Sequence, residues 1–170
     1  PFKGVDVGPY SSVAFFDANG DGIMDAFIGE YYGTINYFRN DGSSTIPNFV
    51  KDVDNNPFKG VDVGERSNVA FFDANGDGIM DAFIGDHYGT INYFRNDGSS
   101  TIPNFVEDVD NNPFKGVDVG GFSNVAFFDA NGDGVLDAFI GEYNGNINYF
   151  RNDGSSTTPN FVEDVDNNPF

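Results

Sequence analysis

One unit of 56 residues is repeated three times along the chain. The segment FFDANGDGIMDAFIG at residues 15–29 returns at residues 71–85 and, with two substitutions, at residues 127–141. Of the 56 positions, 45 carry the same residue in all three copies. A fixed period of this length indicates a stack of equal supersecondary modules that bury apolar surface against their neighbours. The sequence therefore predicts three structural units, residues 1–56, 57–112 and 113–170.

Each unit contains four short runs rich in Val, Ile, Phe and Tyr. In the first copy they lie at residues 13–16, 26–28, 34–38 and 48–53, and Gly, Asn, Asp or Pro bounds each run. Runs of this kind are typical of strands, and the connections between them are too short for crossover helices. No window carries apolar side chains with a helical period. The sequence thus predicts an all-β protein built from four-stranded antiparallel meanders.

Tandem four-stranded meanders are typical of the blades of a β-propeller. A β-solenoid is the competing fold, but its coils are usually shorter and its strands are parallel. We therefore expect a β-propeller made of four-stranded antiparallel blades, with three blades per chain. Propellers usually have four to eight blades, so three blades leave two unpaired end faces and predict self-association. We expect a homodimer of six blades, with a trimer of nine blades as the runner-up.

The phenylalanine and arginine positions have simple structural interpretations. Phe15, Phe16, Phe27, Phe38, Phe49 and their copies are expected to form the core within and between blades. Arg39, Arg95 and Arg151 precede Asn-Asp-Gly turns and are expected to pair with nearby carboxylates.

The chain is strongly acidic, with 27 Asp and Glu against 8 Lys and Arg and a formal net charge of −19. Phosphate recognition needs clustered Lys and Arg, so we expect no nucleic-acid partner. No stretch of 18 apolar residues exists, so we expect no membrane insertion. Cys is absent, and no nucleophile and base are placed together by spacing. We therefore expect that the protein is not an enzyme.

A loop with the pattern D-x-N-x-D-G-x-x-D lies in every unit. Oxygen ligands at alternate positions of a tight loop suit a hard cation of Ca²⁺ size, and three uncompensated carboxylates would repel one another. Strand-like flanks and a last Asp at position nine distinguish the loop from an EF-hand. We expect about one Ca²⁺ per blade; a plain Asn/Asp/Gly turn is the alternative. The expected ligands are Asp17, Asn19, Asp21, Ile23 (carbonyl), Asp25, Asp73, Asn75, Asp77, Ile79 (carbonyl), Asp81, Asp129, Asn131, Asp133, Val135 (carbonyl) and Asp137.

The order of these motifs resembles the FG-GAP/VCBS repeat. A strand, the D-x-N-G-D-G-x-x-D loop and a strand ending in F-I-G are followed by G-T-I-N-Y-F-R-N-D-G and P-N-F. Such repeats are the blades of calcium-loop propellers, including integrin α-subunit heads and several secreted lectins. Residues 29–31 depart from the Gly-Ala-Pro of integrins, which favours the VCBS branch. The resemblance implies that the loop joins the innermost strand to the second and that its calcium is structural.

Eleven positions differ among the copies, and seven of them fall in two short segments. These segments enter the first strand and join the second strand to the third, so both emerge at the end of the meander opposite the calcium-type loops. A varied face on a uniform scaffold is typical of a binding surface, although drift of surface loops gives the same pattern. The candidate ligand-binding residues are Tyr10, Glu30, Tyr31, Tyr32, Arg66, Asp86, His87, Tyr88, Phe122, Glu142, Tyr143 and Asn144.

Aromatic side chains beside hydrogen-bonding groups are suited to a neutral sugar. We therefore expect a non-catalytic, calcium-stabilised, lectin-like module that binds glycans. Protein adhesion is one alternative. A designed or recently amplified repeat scaffold without a ligand is another, which the near-identity of the copies favours. Calcium sites of ordinary extracellular strength would require a calcium-rich compartment, so we expect a secreted protein.

Overall fold

The structure, a computed structural model, describes residues 2–170; Pro1, which opens the first unit, lies outside this range. Residues 2–170 form twelve strands and no helix, and therefore no helix long and apolar enough to cross a membrane. In chain order the strands are β1 (Ser12–Phe16), β2 (Asp25–Gly29), β3 (Ile35–Asn40), β4 (Phe49–Lys51), β5 (Asn68–Phe72), β6 (Asp81–Gly85), β7 (Ile91–Asn96), β8 (Phe105–Glu107), β9 (Asn124–Phe128), β10 (Asp137–Gly141), β11 (Ile147–Asn152) and β12 (Phe161–Glu163).

Every four consecutive strands form one antiparallel meander, here called a blade. The strand orders are β1-β2-β3-β4, β5-β6-β7-β8 and β9-β10-β11-β12. The register repeats as well: Val13 lies opposite Ile28 in the first blade, and Val69 lies opposite Ile84 in the second. Neighbouring blades touch mainly through their first strands, β1 against β5 and β5 against β9. The prediction of an all-β chain with three four-stranded antiparallel blades is confirmed.

The third and fourth strands differ in length from the sequence prediction. The third strand continues to Asn40, because the N–H of Asn40 donates a hydrogen bond of 2.7 Å to the buried carboxylate of Asp25. The fourth strand is only three residues long and ends at Lys51. The Asp52 carboxylate then accepts the N–H of Asn55 at 3.1 Å, which turns the chain out of the sheet.

The core lies in the seams between neighbouring blades. In the first seam, Phe58 comes from the link between two blades and is 1% exposed. Its ring stacks on Phe105 of the second blade, with centroids 4.4 Å apart and planes at 6°. It also meets Phe27 of the first blade edge-on at 5.7 Å. Phe114 takes the same position in the second seam, so each link inserts one ring between two blades.

Backbones approach closely at both seams. A Cβ at Gly29 would lie 2.1 Å from the carbonyl oxygen of Ser67, and a Cβ at Gly85 would lie 2.0 Å from that of Ser123. The Ser67 hydroxyl also accepts the N–H of Glu30 at 3.0 Å, which satisfies both buried groups. Glycine is therefore required at the end of the second strand wherever another blade follows.

The two end faces of the chain expose residue types that the seams bury. Val13 is 48% exposed, whereas its copy Val69 is 4% exposed; Phe128 is 66% exposed, whereas its copy Phe72 is 5% exposed. Phe15 is also half exposed. The expectation that all the phenylalanine positions lie in the core is thus wrong for Phe15 and Phe128, because no further blade covers them in a single chain.

The seam rings should dominate the stability of the fold. We expect Phe58→Ala to lower the free energy of unfolding by about 3–5 kcal/mol, because it removes a fully buried ring and leaves a cavity. Ile102→Ala is the control, since Ile102 is 76% exposed. Urea unfolding followed by circular dichroism measures both variants. Equal losses for the two variants would contradict a core centred on the seams.

Candidate functional site

The calcium-type loops connect the first and second strands of each blade. In the first loop, the two carboxylate oxygens of Asp17 accept the N–H groups of Gly20 and Gly22, both at 2.8 Å. One oxygen of Asp21 accepts the N–H of Ile23 at 2.8 Å. The second and third loops repeat these hydrogen bonds. Each loop is therefore folded by its own carboxylates.

The last aspartate of each loop is fully buried. Oδ1 of Asp25 accepts the N–H of Asn40 at 2.7 Å, and Oδ2 accepts the hydroxyl of Tyr37 at 2.8 Å. Burial raises the pKa of the Asp25 carboxyl above its usual range, while the bonds from Asn40 and Tyr37 act in the opposite direction. The same burial raises the pKa of Asp81. This aspartate ties the loop to the third strand, a role that its position in the motif did not reveal.

In residues 2–170, no group of three or more His, Cys, Asp or Glu side chains lies where it could hold a metal ion. The loop carboxylates face the N–H groups of their own loop and of the neighbouring strand. By chemistry, the donor set of each loop still suits Ca²⁺: it offers three carboxylates, an amide oxygen and no nitrogen or sulfur ligand.

A groove opens at the opposite end of the first strands and has a volume of about 710 Å³. Three copies of one repeat position, Tyr10, Arg66 and Phe122, line it together. His87 and Tyr143 reach it from the loops that join the second and third strands. The two varied segments thus lie side by side around this groove, which we call the central groove.

Backbone strain marks the central groove. Tyr10, Arg66 and Phe122 have φ angles of 58°, 62° and 65°, and no other non-glycine residue in the described part of the chain has a positive φ. Such a conformation costs a bulky residue about 1–3 kcal/mol. Cζ of Arg66 lies 4.1 Å from the ring centre of Tyr10 and 3.6 Å from that of Phe122. The three side chains therefore stack across the groove.

The remaining aromatic and amide candidates lie at different distances from the groove. The Tyr31 ring centre lies 6.0 Å from that of Tyr10, beside the groove, and Asn144 is part of the lining. Tyr32 and Tyr88 lie outside the lining and are 70% and 69% exposed.

The acidic candidates bind their own loops instead of facing the groove. Glu30 is 3% exposed, and its carboxylate accepts the N–H and the hydroxyl of Thr34. Asp86 is 5% exposed and makes the equivalent bonds. The N–H of Asn144 donates to Glu142 at 2.6 Å and helps to hold the pKa of that carboxyl below its usual range. These carboxylates shape the loops that carry Tyr31, His87 and Tyr143.

The lining of the groove contains polar residues outside the predicted candidates, and among them are Ser12, Asn68 and Asn124. They occupy one repeat position at the start of the first strand, and the amide of Asn68 donates to the hydroxyl of Ser12. This position is among the eleven that differ between the copies. The position lies two residues after Tyr10 and its copies, and its variation among the copies was the sequence signal that could have identified it as part of the groove.

The loops and blades correspond to a known repeat. A family model described as the FG-GAP-like repeat matches residues 17–84 and again residues 73–140. Each match begins at the first aspartate of a loop and runs into the second strand of the next blade, and together they cover more than two thirds of the chain. No curated protein matches the chain. The loop geometry, the repeated blades and this double match together show that the chain belongs to the FG-GAP-like repeat family.

Proposed function

We propose that this chain is a non-catalytic, calcium-stabilised binding module that holds carbohydrate in its central groove. The strained, stacked residues of the groove are the main support for this proposal. A left-handed position is unstrained for glycine, yet all three copies carry a large side chain there. Strain that is maintained at one place in every copy is typical of a binding site.

The lining of the groove suits a sugar ring. Tyr10 and Tyr143 are 64% and 69% exposed, so their ring faces can pack against sugar C–H groups. Ser12, Asn68 and Asn124 supply the donors and acceptors that sugar hydroxyls require. The volume lies within the range of about 300–1,000 Å³ that is usual for small-molecule sites.

One Ca²⁺ per blade forms the second part of the proposal. In the first blade it would be held by Asp17, Asn19, Asp21 and Asp25 with the carbonyl of Ile23, and the other two blades would use the same positions. The ion would supply a counter-charge to the three carboxylates of each loop, which would turn towards it from the N–H groups that they accept. Such a module works in a calcium-rich compartment, so secretion belongs to the proposal.

The calcium-type loops also lie against the following blade. A Cβ at Gly20 would lie 2.1 Å from Cγ2 of Thr101, and a Cβ at Gly76 would lie 2.2 Å from Cβ of Thr157. A loop ordered by calcium would therefore stiffen the seam next to it. A Cβ at Gly132, in the third blade, would meet no atom within 4 Å.

The third part of the proposal is that two chains close head to tail into a ring of six blades. At both internal seams, the glycine that ends a second strand contacts the next blade. Gly141 is the copy of this glycine in the third blade, and the space beside it is open: a Cβ at Gly141 would meet no atom within 4 Å, unlike one at Gly29. Ser11, the copy of the seam residue Ser67, is exposed at the other end.

The energy of ring closure favours two seams. A seam of several hundred Å² contributes on the order of 10 kcal/mol, against about 4–15 kcal/mol for one association. Two seams form in that one event, and a ring would carry the sites of both chains and gain by avidity.

Calcium should stabilise the fold. At a hundredfold excess over the dissociation constant, each occupied loop adds about 2.7 kcal/mol, so excess chelator should lower the melting temperature. Asp21→Asn, Asp77→Asn and Asp133→Asn together keep the hydrogen-bond acceptors but should abolish the response to calcium. Asp54→Ala with Asp110→Ala is the control, because these exposed carboxylates lie outside the loops. A wild-type melt that does not change with chelator would contradict the calcium sites.

Light scattering should give a mass of about 37 kDa, twice the 18.5 kDa of one chain. Gly141→Val should give 18.5 kDa with an intact fold, because a side chain there clashes only with an incoming blade. A wild-type monomer at tens of micromolar would rule out ring closure. A mass of three chains would support association through this seam but would contradict a ring of six blades.

Binding should depend on the groove tyrosine. On a glycan array and in titration with the best-bound glycan, Tyr143→Ala should bind about threefold to tenfold more weakly than the wild type. Tyr88→Ala is a matched control, since both tyrosines are 69% exposed but Tyr88 lies outside the groove. Binding that is absent across the array, or equal in Tyr143→Ala and the wild type, would refute the lectin-like function.

A further inference from the structure

Arg66 differs from the other three arginines of the chain in having no carboxylate partner within residues 2–170. Arg39, Arg95 and Arg151 each pair with two aspartates, as the sequence predicted, and their Nε atoms lie 2.5–2.6 Å from the nearer carboxylate. Nε of Arg66 is instead buried and makes no hydrogen bond. Although the buried Nε is out of reach of a ligand, a guanidinium without an ion pair in a chain with 27 acidic residues leaves its other N–H groups for an anionic partner outside the chain.

The guanidinium of Arg66 lies over two aromatic rings. Tyr10 and Phe122 both stack on it, with ring centres 4.1 and 3.6 Å from Cζ. The backbone is fixed, because the N–H of Arg66 donates to the carbonyl of Tyr31 at 2.9 Å. With its faces against aromatic rings, the guanidinium has its N–H groups left in its own plane. In-plane N–H groups match a planar carboxylate, which accepts two parallel hydrogen bonds.

The lining of the central groove contains no Asp or Glu, although one residue in six of the chain is acidic. It contains a second unpartnered polar atom, since Nδ1 of His87 is buried without a hydrogen bond. The His87 ring lies against Phe122, with centroids 4.7 Å apart. Two polar nitrogens without partners thus adjoin the same stack of rings.

We infer that the central groove binds a carboxylated sugar, a uronic acid residue of an oligosaccharide, whose carboxylate pairs with the in-plane N–H groups of Arg66. The inference rests on the proposed function, because it takes carbohydrate as the ligand class and names the sugar. The hydroxyl and amide groups of Ser12, Asn68 and Asn124 would bind the sugar hydroxyls. An acidic peptide offers the same carboxylate but lacks those hydroxyls.

The net charge of −19 does not oppose this assignment strongly. The calcium-type loops, with nine of the acidic residues, lie at the other end of five-residue first strands, about 16 Å away. Three of these nine are the buried last aspartates of the loops; the other six are at least partly exposed and are largely screened at that distance, because the Debye length is about 8 Å at physiological salt. Closer to the groove, the exposed Glu142 carboxylate bonds the lining residue Asn144, but Arg66 is the one Lys or Arg of the lining and so the local partner for a ligand carboxylate.

The test compares matched ligands by titration calorimetry at physiological salt. The probes are a glucuronic acid tetrasaccharide, the glucose tetrasaccharide of the same linkage, and hexaglutamate. We expect the wild type to bind the acidic sugar about tenfold or more tightly than the neutral one. Arg66→Gln should remove this preference, and Arg66→Lys should keep only part of it, because lysine lacks the planar fork. Lys51→Gln, an equal change of charge at an exposed site, should leave the preference intact.

The outcomes separate this inference from the proposed function. Equal binding of both sugars, or a preference that survives Arg66→Gln in a variant with wild-type circular dichroism, overturns the inference and leaves a carbohydrate site. Arg66-dependent binding of hexaglutamate without binding of either sugar overturns the sugar assignment. Absence of binding to these probes and to the whole glycan array overturns both proposals.

Discussion

The close approach of neighbouring blades at Gly29 and Ser67 is the constraint on which the rest of the structure depends. No side chain fits between these backbones, and the Ser67 hydroxyl satisfies the N–H of Glu30 that the contact buries. A buried N–H without a partner would cost about 1–3 kcal/mol, so the serine makes the approach possible. Phe58 packs in the same seam, against Phe27 of the first blade and Phe105 of the second. The seam therefore has one spacing, and it recurs at Gly85.

That spacing produces the stack in the central groove. The left-handed backbone of Arg66 is held by a hydrogen bond to the carbonyl of Tyr31, and that of Phe122 by a hydrogen bond to the carbonyl of His87. Each bond joins a blade to the loop of the blade before it. The strain at these positions is thus offset by contacts across the seam, which bring Cζ of Arg66 to 3.6 Å from the ring centre of Phe122 and 4.1 Å from that of Tyr10. A change in the seam would move the groove.

The sequence predicted the features that repeat and not those that depend on a neighbour. Blade number, strand order and the pairing of Arg39 follow from local patterns, and all are found. Phe15 and Phe71 have the same sequence context, yet Phe15 is half exposed because no blade within residues 2–170 packs against it. The direction of a carboxylate was equally hidden: Glu30 turns to its own loop because Thr34 offers it an N–H and a hydroxyl. The sequence shows that a carboxylate is present in the loop but does not show in which direction it points.

The contrast between the uniform and the varied end of the blades has a structural cause. At the end that carries the calcium-type loops, the loop surface itself meets the next blade, so that Gly20 must remain small beside Thr101. At the groove end, Arg66 and Phe122 contribute only their backbone N–H groups to the seam hydrogen bonds, and these groups are the same for any side chain. Tyr, Arg and Phe can therefore replace one another at this position without loss of the seam. Side chains can vary at a position that contributes only backbone hydrogen bonds to the seam. At such a position the chemistry of the groove can change while the arrangement of the blades stays the same.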